Sequence, residues 1–264
     1  MTSQQSETAW IAPESPDLVW FSGADTTRFL NDLISQEIGD LADGEARRSL
    51  LLAPQGKLQF ILWVVRDGDR IGLVTDPGRG EELAAALSRY RIRVDVDIEV
   101  ESDEVWLVMG EGDGYDVSWP AVARRLVVGD RPELPTGTDD DYEALRVSAG
   151  EPAWDVDVDE GTIPHESGLV PSSVDFTKGC FLGQELVARI DSRGGNTPRN
   201  LRLIETTDRT IAAGATLTRD GKDVGSVTSA VGGLGLAMVR REVDVGDQVL
   251  AGDVPVMVRQ LPTN

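Results

Sequence analysis

Residues 178–195 read KGCFLGQELVARIDSRGG, and this stretch carries most of what the sequence reveals about the fold. Gly183 precedes a segment with the apolar spacing of an amphipathic helix. The apolar face of this predicted helix carries Leu186, Val187 and Ile190. Glu185 and Arg189 are four positions apart with the acid first, a spacing typical of a helix-surface ion pair. The stretch therefore predicts a glycine-containing loop followed by a short helix.

Cys180 is the only cysteine of the chain, and it lies in this loop close to Lys178 and next to Gly179. A helix N-terminus and a nearby ammonium group both lower the pKa of a thiol, which favours a reactive thiolate. The alternative is that Cys180 is a small buried apolar residue, as many lone cysteines are. The local sequence leaves both interpretations open.

The N-terminal part of the chain combines runs of strands with a few helices. Strands are predicted over residues 18–21, 48–53, 58–66, 71–75, 93–100 and 105–109. Helices are predicted after Asp25 and over residues 81–90, 119–126 and 142–147. Residues 54–57, PQGK, form a turn, and the acidic residues 155–160 are expected to be a solvated loop. This pattern indicates an α+β fold rather than a doubly wound sheet.

From Asn200 onward the sequence changes to short alternating strands separated by glycine turns. The turns are Asp220-Gly221, Gly232-Gly233, Gly246-Asp247 and Gly252-Asp253. Closely spaced short strands of this kind predict a small all-β domain, either a sandwich or a barrel. We place a boundary just before it, which gives an N-terminal region of residues 1–196 and a C-terminal domain of residues 197–264.

Composition restricts the possible partners. The 264 residues include 46 acidic and 25 basic ones, so the net charge is −21, which repels nucleic acid and anionic membranes. One cysteine and one histidine exclude an internal disulfide, a Cys-rich zinc site and a Cys₄ iron–sulfur site, and we expect no metal site. The chain has neither a signal peptide nor a bilayer-length apolar run, so we expect a cytoplasmic monomer.

Residues 178–185, KGCFLGQE, resemble the K-G-C-[FY]-x-G-Q-E signature of the YgfZ family of folate-binding proteins. Further resemblance is found in residues 29–33 (FLNDL), 52–57 (LAPQGK), 146–152 (RVSAGEP), 163–166 (IPHE) and 224–230 (VGSVTSA). This family is related to the aminomethyltransferase, or T-protein, of the glycine cleavage system and is implicated in iron–sulfur cluster assembly or repair. The resemblance implies two interwoven α/β subdomains and a C-terminal β-barrel around a central, folate-sized opening.

The resemblance also implies a site that binds tetrahydrofolate or a one-carbon derivative of it. Cys180, next to Lys178, would be the functional thiol at the mouth of the folate pocket. The candidate folate-binding residues are Arg146, Glu166, Gly179, Gly183, Gln184, Glu185 and Arg189. Glu166 is the candidate for the pterin, because a carboxylate accepts an amidine-like edge bidentately; a capping role is its alternative. Arg146 either holds an anion or fixes the loop that follows it.

The leading hypothesis is a tetrahydrofolate-binding accessory protein for iron–sulfur enzymes, whose partners are client or assembly proteins. The alternative is a tetrahydrofolate-dependent one-carbon transferase similar to the T-protein. T-proteins resemble the KGCFLGQE segment but lack its cysteine, and the sequence shows no recognisable counterpart of their catalytic acidic residue. A third possibility, direct modification of RNA, ranks lowest because of the net charge of −21.

Overall fold

The computed structural model describes residues 9–101 and 105–263. Its elements are β1 (Trp10–Ile11), β2 (Asp17–Ser22), α1 (Thr26–Asn31), β3 (Ala46–Leu52), β4 (Leu58–Asp67), β5 (Arg70–Thr75), α2 (Gly80–Ser88), β6 (Asp97–Val100), β7 (Val105–Met109), β8 (Tyr115–Asp116), β9 (Arg124–Val128), α3 (Asp139–Ala149), a 3₁₀ helix (Pro164–Ser167), α4 (Val170–Ser173), α5 (Gln184–Asp191), β10 (Arg199–Glu205), β11 (Thr216–Arg219), β12 (Lys222–Val231), β13 (Leu234–Arg240), β14 (Gln248–Ala251) and β15 (Val254–Arg259). None of the described helices is long and apolar enough to span a bilayer.

Two antiparallel sheets form the N-terminal region. One has the strand order β3-β4-β5-β2-β6, and the other has the order β1-β7-β9-β8. The chain therefore enters the four-stranded sheet at β1, builds the whole five-stranded sheet, and returns to the first at β7. One core cluster lies between the five-stranded sheet and helices α1 and α2, and a second packs residues of both sheets against each other. This exchange of strands confirms the expected α+β fold with two interwoven subdomains.

The C-terminal strands close into a six-stranded antiparallel barrel with the order β10-β13-β12-β11-β14-β15. Alternate residues of these strands point inward and form a separate core made mainly of valine. Strand β12 contains two irregularities, at Val224 opposite Leu217/Thr218 and at Thr228 between Val227 and Ser229, which help a short sheet to curve and close. The structure thus confirms the barrel and excludes the sandwich.

The helix predicted over residues 119–126 is wrong. Trp119 and Val122 form a tight backbone turn, with N–H···O distances of 3.0 Å in both directions. Residues Arg124–Val128 are strand β9, which pairs along its length with β7. Hydrogen bonding to β7 and burial of Leu126 between its neighbours outweigh the local helical pattern.

The PQGK turn and the KGCFLGQE loop meet at two glycines. Gly56 and Gly183 both have left-handed backbones, with φ of +80° and +76°. A Cβ on Gly183 would lie 2.5 Å from the Ala53 carbonyl oxygen, and one on Gly56 would lie 2.5 Å from the Cβ of Leu186. Only glycine fits at either position, because the two backbones are in direct contact. This contact fixes the start of α5 against the β3–β4 turn.

Replacing Gly183 is expected to be strongly destabilising. Gly183→Ala adds about 1–2 kcal/mol of backbone strain and about 1–3 kcal/mol of overpacking, so the free energy of unfolding should fall by about 2–5 kcal/mol. Urea unfolding followed by circular dichroism measures this loss.

Gly44→Ala is the matched control, since Gly44 has a φ of +78° but a Cβ added to it would meet no atom within 4 Å. Gly44→Ala should lose only the free energy of unfolding that corresponds to backbone strain, about 1–2 kcal/mol. Equal losses in the two variants would contradict the close backbone contact at Gly183.

Candidate functional site

A cavity of about 700 Å³ opens between the two N-terminal sheets. Its lining comes from β4, β5, β7, β9, α3 and the loop of residues 151–156. This volume is in the range of pockets that hold a cofactor-sized ligand. The cavity is therefore the candidate binding site of the described chain.

Aromatic rings and arginine side chains alternate around this cavity. The aromatic lining residues are Trp63, Trp119, Tyr142 and Trp154. The guanidinium of Arg124 lies 3.7 Å from the centre of the Trp119 ring, and that of Arg79 lies 4.2 Å from the centre of the Trp154 ring. Burial lowers the pKa of Arg124 to about 10, so it stays charged at neutral pH. The half-buried rings of Trp63, Tyr142 and Trp154 give the cavity flat faces on which a ring system can stack.

Several buried polar atoms at the cavity have no hydrogen-bond partner among the residues that the structure describes. They are Thr75 Oγ1, Asp76 Oδ2, Arg79 Nη1 and Trp119 Nε1. Such atoms cost about 1–3 kcal/mol each when they remain unsatisfied, so native proteins rarely retain several in one place without a ligand or water. The set combines hydrogen-bond donors and acceptors beside aromatic faces. This chemistry fits a polar heterocycle such as a pterin.

Asp76 is the acidic residue of this set. Burial raises the pKa of its carboxyl group to about 6, which the nearby negative charge of Glu151 also favours, while Arg79 acts in the opposite direction. Because its pKa lies this close to neutrality, Asp76 changes charge over an accessible pH range. Groups with this property are concentrated at functional sites.

Arg146 joins three parts of the chain at the edge of the cavity. From α3 its guanidinium donates to Asp157 Oδ2 at 2.6 Å, to the Glu151 carbonyl oxygen at 2.5 Å and to Ser229 Oγ of the barrel at 2.6 Å. Glu143 accepts two further bonds, at 2.8 and 2.5 Å. Burial opposes the charge of Arg146, but these acidic partners outweigh it and raise its pKa. We call this set of contacts the Arg146 network.

Asp157 completes the network from the loop side. Its carboxylate accepts bonds from the hydroxyl groups of Thr228 and Ser229 and from the Ala153 backbone N–H. The expectation of a solvated acidic loop over residues 155–160 is therefore wrong at this position, since Asp157 is 4% exposed. A buried arginine and two barrel hydroxyl groups compensate its charge. The network holds residues 151–156, which line the cavity, against the barrel.

Lys178 anchors the beginning of the KGCFLGQE loop. Its ammonium group donates to the backbone oxygens of Asn31, Ile34 and Gln36 and to Asn31 Oδ1, at 2.7–3.1 Å. Burial lowers the pKa of Lys178 to about 8, against the opposing influence of Glu37 and other acids. The three ammonium protons are thus used to fix the loop that follows α1.

Cys180 lies between two anchors and is exposed. On one side Lys178 is fixed as described, and on the other Phe181 is buried in a core cluster with Leu58 and Val187. Exposure removes the interpretation of Cys180 as a buried packing residue. The chain therefore presents its thiol at the surface on a loop held at both ends.

Comparison with known proteins agrees with this architecture. Residues 200–262 match the family model of the CAF17 C-terminal beta-barrel domain. An iron–sulfur cluster assembly factor IBA57 homologue from Cryptococcus neoformans is 32% identical over 162 residues, which cover 47% of this chain and 43% of that protein. The chain thus spans less than half the length of this mitochondrial relative.

Two further matches extend over more of the chain. The tRNA-modifying protein YgfZ of Escherichia coli O157:H7 is 24% identical over 216 residues, covering 68% of this chain and 66% of that protein. The crystal structure of glycine cleavage system aminomethyltransferase T from Bartonella henselae superposes with a TM-score of 0.81 and 19% identity, over 97% of this chain and 86% of that one. These matches support a YgfZ/IBA57-type family and an aminomethyltransferase-like fold.

The structure separates the residues selected from sequence into two groups. Arg146 lines the cavity, but among the described lining residues there is neither Glu166 nor any of residues 178–189. The expected position of Cys180 at the mouth of the folate pocket does not hold for this cavity. The reason is that Phe181 packs into a core cluster containing Ile61, and Ile61 is itself a cavity residue. Packed side chains thus lie between the loop and the cavity.

Glu166 has the alternative role considered from sequence. Its Oε2 accepts a bond from the Ile163 N–H at 3.1 Å, which caps the 3₁₀ helix, and its Oε1 lies 3.4 Å from Arg199 Nε of the barrel. One contact caps the 3₁₀ helix and the other connects it to the barrel, which accounts for an acidic residue after Ile-Pro-His. Glu166 therefore holds the barrel against the N-terminal region.

The remaining candidates lie on or before α5. Gly179 is exposed, Gln184 accepts a bond from the Phe181 N–H at 3.3 Å, and Glu185 and Arg189 are exposed. The described contacts contain no ion pair between Glu185 and Arg189, although their spacing suggested one. These residues belong to the thiol loop or to α5 and do not line the cavity.

The Arg146 network should contribute more to stability than any surface ion pair. Arg146→Met leaves Asp157 buried without its cation, so the free energy of unfolding is expected to fall by about 3–5 kcal/mol. Chemical denaturation measures the change.

Arg209→Met is the control, because Arg209 and Asp253 form an ion pair of similar geometry whose side chains are 48% and 83% exposed. Its unfolding midpoint should stay close to that of the wild type. If the free energy of unfolding falls no more in Arg146→Met than in Arg209→Met, the Arg146 network is not a main stabilising interaction.

Proposed function

We propose that this protein is a tetrahydrofolate-binding accessory factor for the assembly or repair of iron–sulfur proteins, with Cys180 as its functional thiol. The observation that carries the folate part is the cavity, whose aromatic faces and unsatisfied buried polar atoms in the described chain suit a pterin. The iron–sulfur part rests on sequence similarity, since relatives of this chain include iron–sulfur cluster assembly factors.

The cavity residues divide the task of holding the folate. The half-buried Trp154 offers a face for stacking, and Asp76 and Arg79 offer an acceptor and a donor for the ring edge. When bound, tetrahydrofolate supplies a carrier for one-carbon units. The protein's own part is to bind the ring, exclude water from it and fix its orientation.

The thiol acts at a second place on the molecule. Cys180 is exposed and held between Lys178 and Phe181, so it reaches a partner protein without rearrangement of the loop. A soft thiolate is a natural ligand or exchange partner for iron–sulfur chemistry. We propose iron–sulfur client or assembly proteins as the partners that contact this loop.

Nucleic acid and membranes are not among the proposed partners. The net charge of −21 opposes the approach of a polyanion. A relative of this chain bears the name tRNA-modifying protein. In this proposal any effect on RNA passes through an iron–sulfur enzyme that modifies it, and the protein works as a cytoplasmic monomer.

A one-carbon transferase is the second candidate, and one observation favours it. The sequence shows no recognisable counterpart of the catalytic acidic residue of T-proteins. In the structure, however, Asp76 lines the cavity. An acid with a pKa of about 6 is suited to proton transfer near neutral pH. The exposed cysteine has no part in that reaction, which is why the accessory function stands first.

Cys180→Ser tests the two parts of the proposal separately. Serine keeps the size of the side chain but removes the soft nucleophile, so this variant should fold and bind tetrahydrofolate as the wild type does. At a ligand concentration about 100 times the dissociation constant, both proteins should gain about 2.7 kcal/mol of stability. In cells lacking the protein, however, Cys180→Ser should fail to restore iron–sulfur enzyme activities.

Thr177→Ser, a conservative change on the same loop, is the control and should restore those activities. Full restoration by Cys180→Ser would eliminate the thiol's chemical role. If tetrahydrofolate stabilises neither protein, the folate assignment is wrong.

A further inference from the structure

Three of the unsatisfied polar atoms at the cavity come from one short segment, residues 75–79, which connects β5 to α2. Thr75 Oγ1, Asp76 Oδ2 and Arg79 Nη1 are all buried without a hydrogen-bond partner in the described part of the chain. The fourth, Trp119 Nε1, belongs to a cavity-lining residue in the turn before β9. The segment thus places an acceptor, a donor and a hydroxyl group in the wall of the cavity.

Arg79 is held rigidly at this place. Its guanidinium lies between the Phe60 ring at 4.1 Å and the Trp154 ring at 4.2 Å, and it donates to both carboxylate oxygens of Glu82. A further bond goes to the Gln59 carbonyl oxygen at 3.1 Å. Arg79 therefore cannot turn to satisfy Asp76 without losing these contacts. The carboxylate next to it is left for a ligand.

We propose that Asp76 is the residue that binds the ring of the cavity's ligand, its carboxylate accepting two adjacent N–H donors from an amidine-type edge. This inference rests on the proposed folate function, because the pterin ring carries such an edge. Arg79 Nη1 and Trp119 Nε1 supply donors for the acceptors of the same ring. Asp76, and not Glu166, is then the carboxylate that binds the pterin ring.

The binding is coupled to a proton. Charged and titratable groups face Asp76 from two elements besides its own: Tyr142 from α3, and Glu151 and Asp155 from the loop after α3. Burial and the two acids favour the protonated carboxyl group, and Arg79 opposes them, so the pKa of Asp76 is raised to about 6.

The affinity for the ligand should therefore depend on pH. Above pH 6 the carboxylate is ready to accept the two N–H groups. Below pH 6 its proton has to leave for the solvent before the ligand binds, so affinity falls as the pH falls. Once the pH is below the pKa, the loss approaches about tenfold per pH unit.

Calorimetric titration of the whole protein with tetrahydrofolate at pH 7.5 and pH 5.0 tests whether binding requires the ionised Asp76. Wild-type affinity should be about tenfold weaker at pH 5.0, and titrations in buffers of different ionisation enthalpy should show release of about one proton per ligand at that pH. Asp76→Asn, which keeps the shape of the side chain, should bind about 10- to 100-fold more weakly at pH 7.5. The variant also measures the ligand's own pH dependence, and its affinity should change far less between the two pH values.

Asp208→Asn is the matched control, since Asp208 is exposed on the barrel and does not line the cavity, and it should retain the wild-type pH profile. Equal affinity of the wild type and Asp76→Asn at both pH values would overturn the role of Asp76 while leaving folate binding intact. Absence of binding to any of the three proteins would instead overturn the folate function and this inference with it.

Discussion

The buried ion pair between Arg146 and Asp157 is the interaction on which the rest of the structure depends. It lies where α3, the loop of residues 151–156 and barrel strand β12 meet, and each of its hydrogen bonds ties two of these parts together. A buried charge pair is costly unless every partner is in place. The barrel and the N-terminal region therefore have one arrangement that satisfies it, and that arrangement places the residues lining the cavity.

Once the loop is fixed, two functional features are set independently. Glu151 faces the cavity and accepts a bond from Arg48 of β3 at 2.8 Å, so the loop is tied to the five-stranded sheet as well as to the barrel. The thiol loop is fixed elsewhere, by Lys178 and by the backbone contact of Gly56 with Gly183. A rigid pocket for a ring and a rigid exposed thiol are thus two separate sites of one fold.

The sequence predicted the β-barrel and most N-terminal strands, because their alternating apolar residues and glycine turns are local signals. It failed at residues 119–126, where pairing with β7 decides the conformation. The site was harder to predict. The KGCFLGQE signature drew attention to Cys180, but Asp76 and Trp119 carry no local mark, since their importance arises only when two sheets bring them to one cavity. Glu166 and Arg146 lie within recognisable sequence motifs, and in the structure both contact the barrel.

Hydrogen–deuterium exchange of the wild-type protein with and without tetrahydrofolate locates the bound ligand directly. The ring is assigned to the cavity rather than to the thiol loop. Exchange should therefore slow in residues 75–79 and 151–156 when tetrahydrofolate binds, while residues 178–183 stay unchanged. Protection confined to residues 178–189, with none in the two cavity segments, would contradict it.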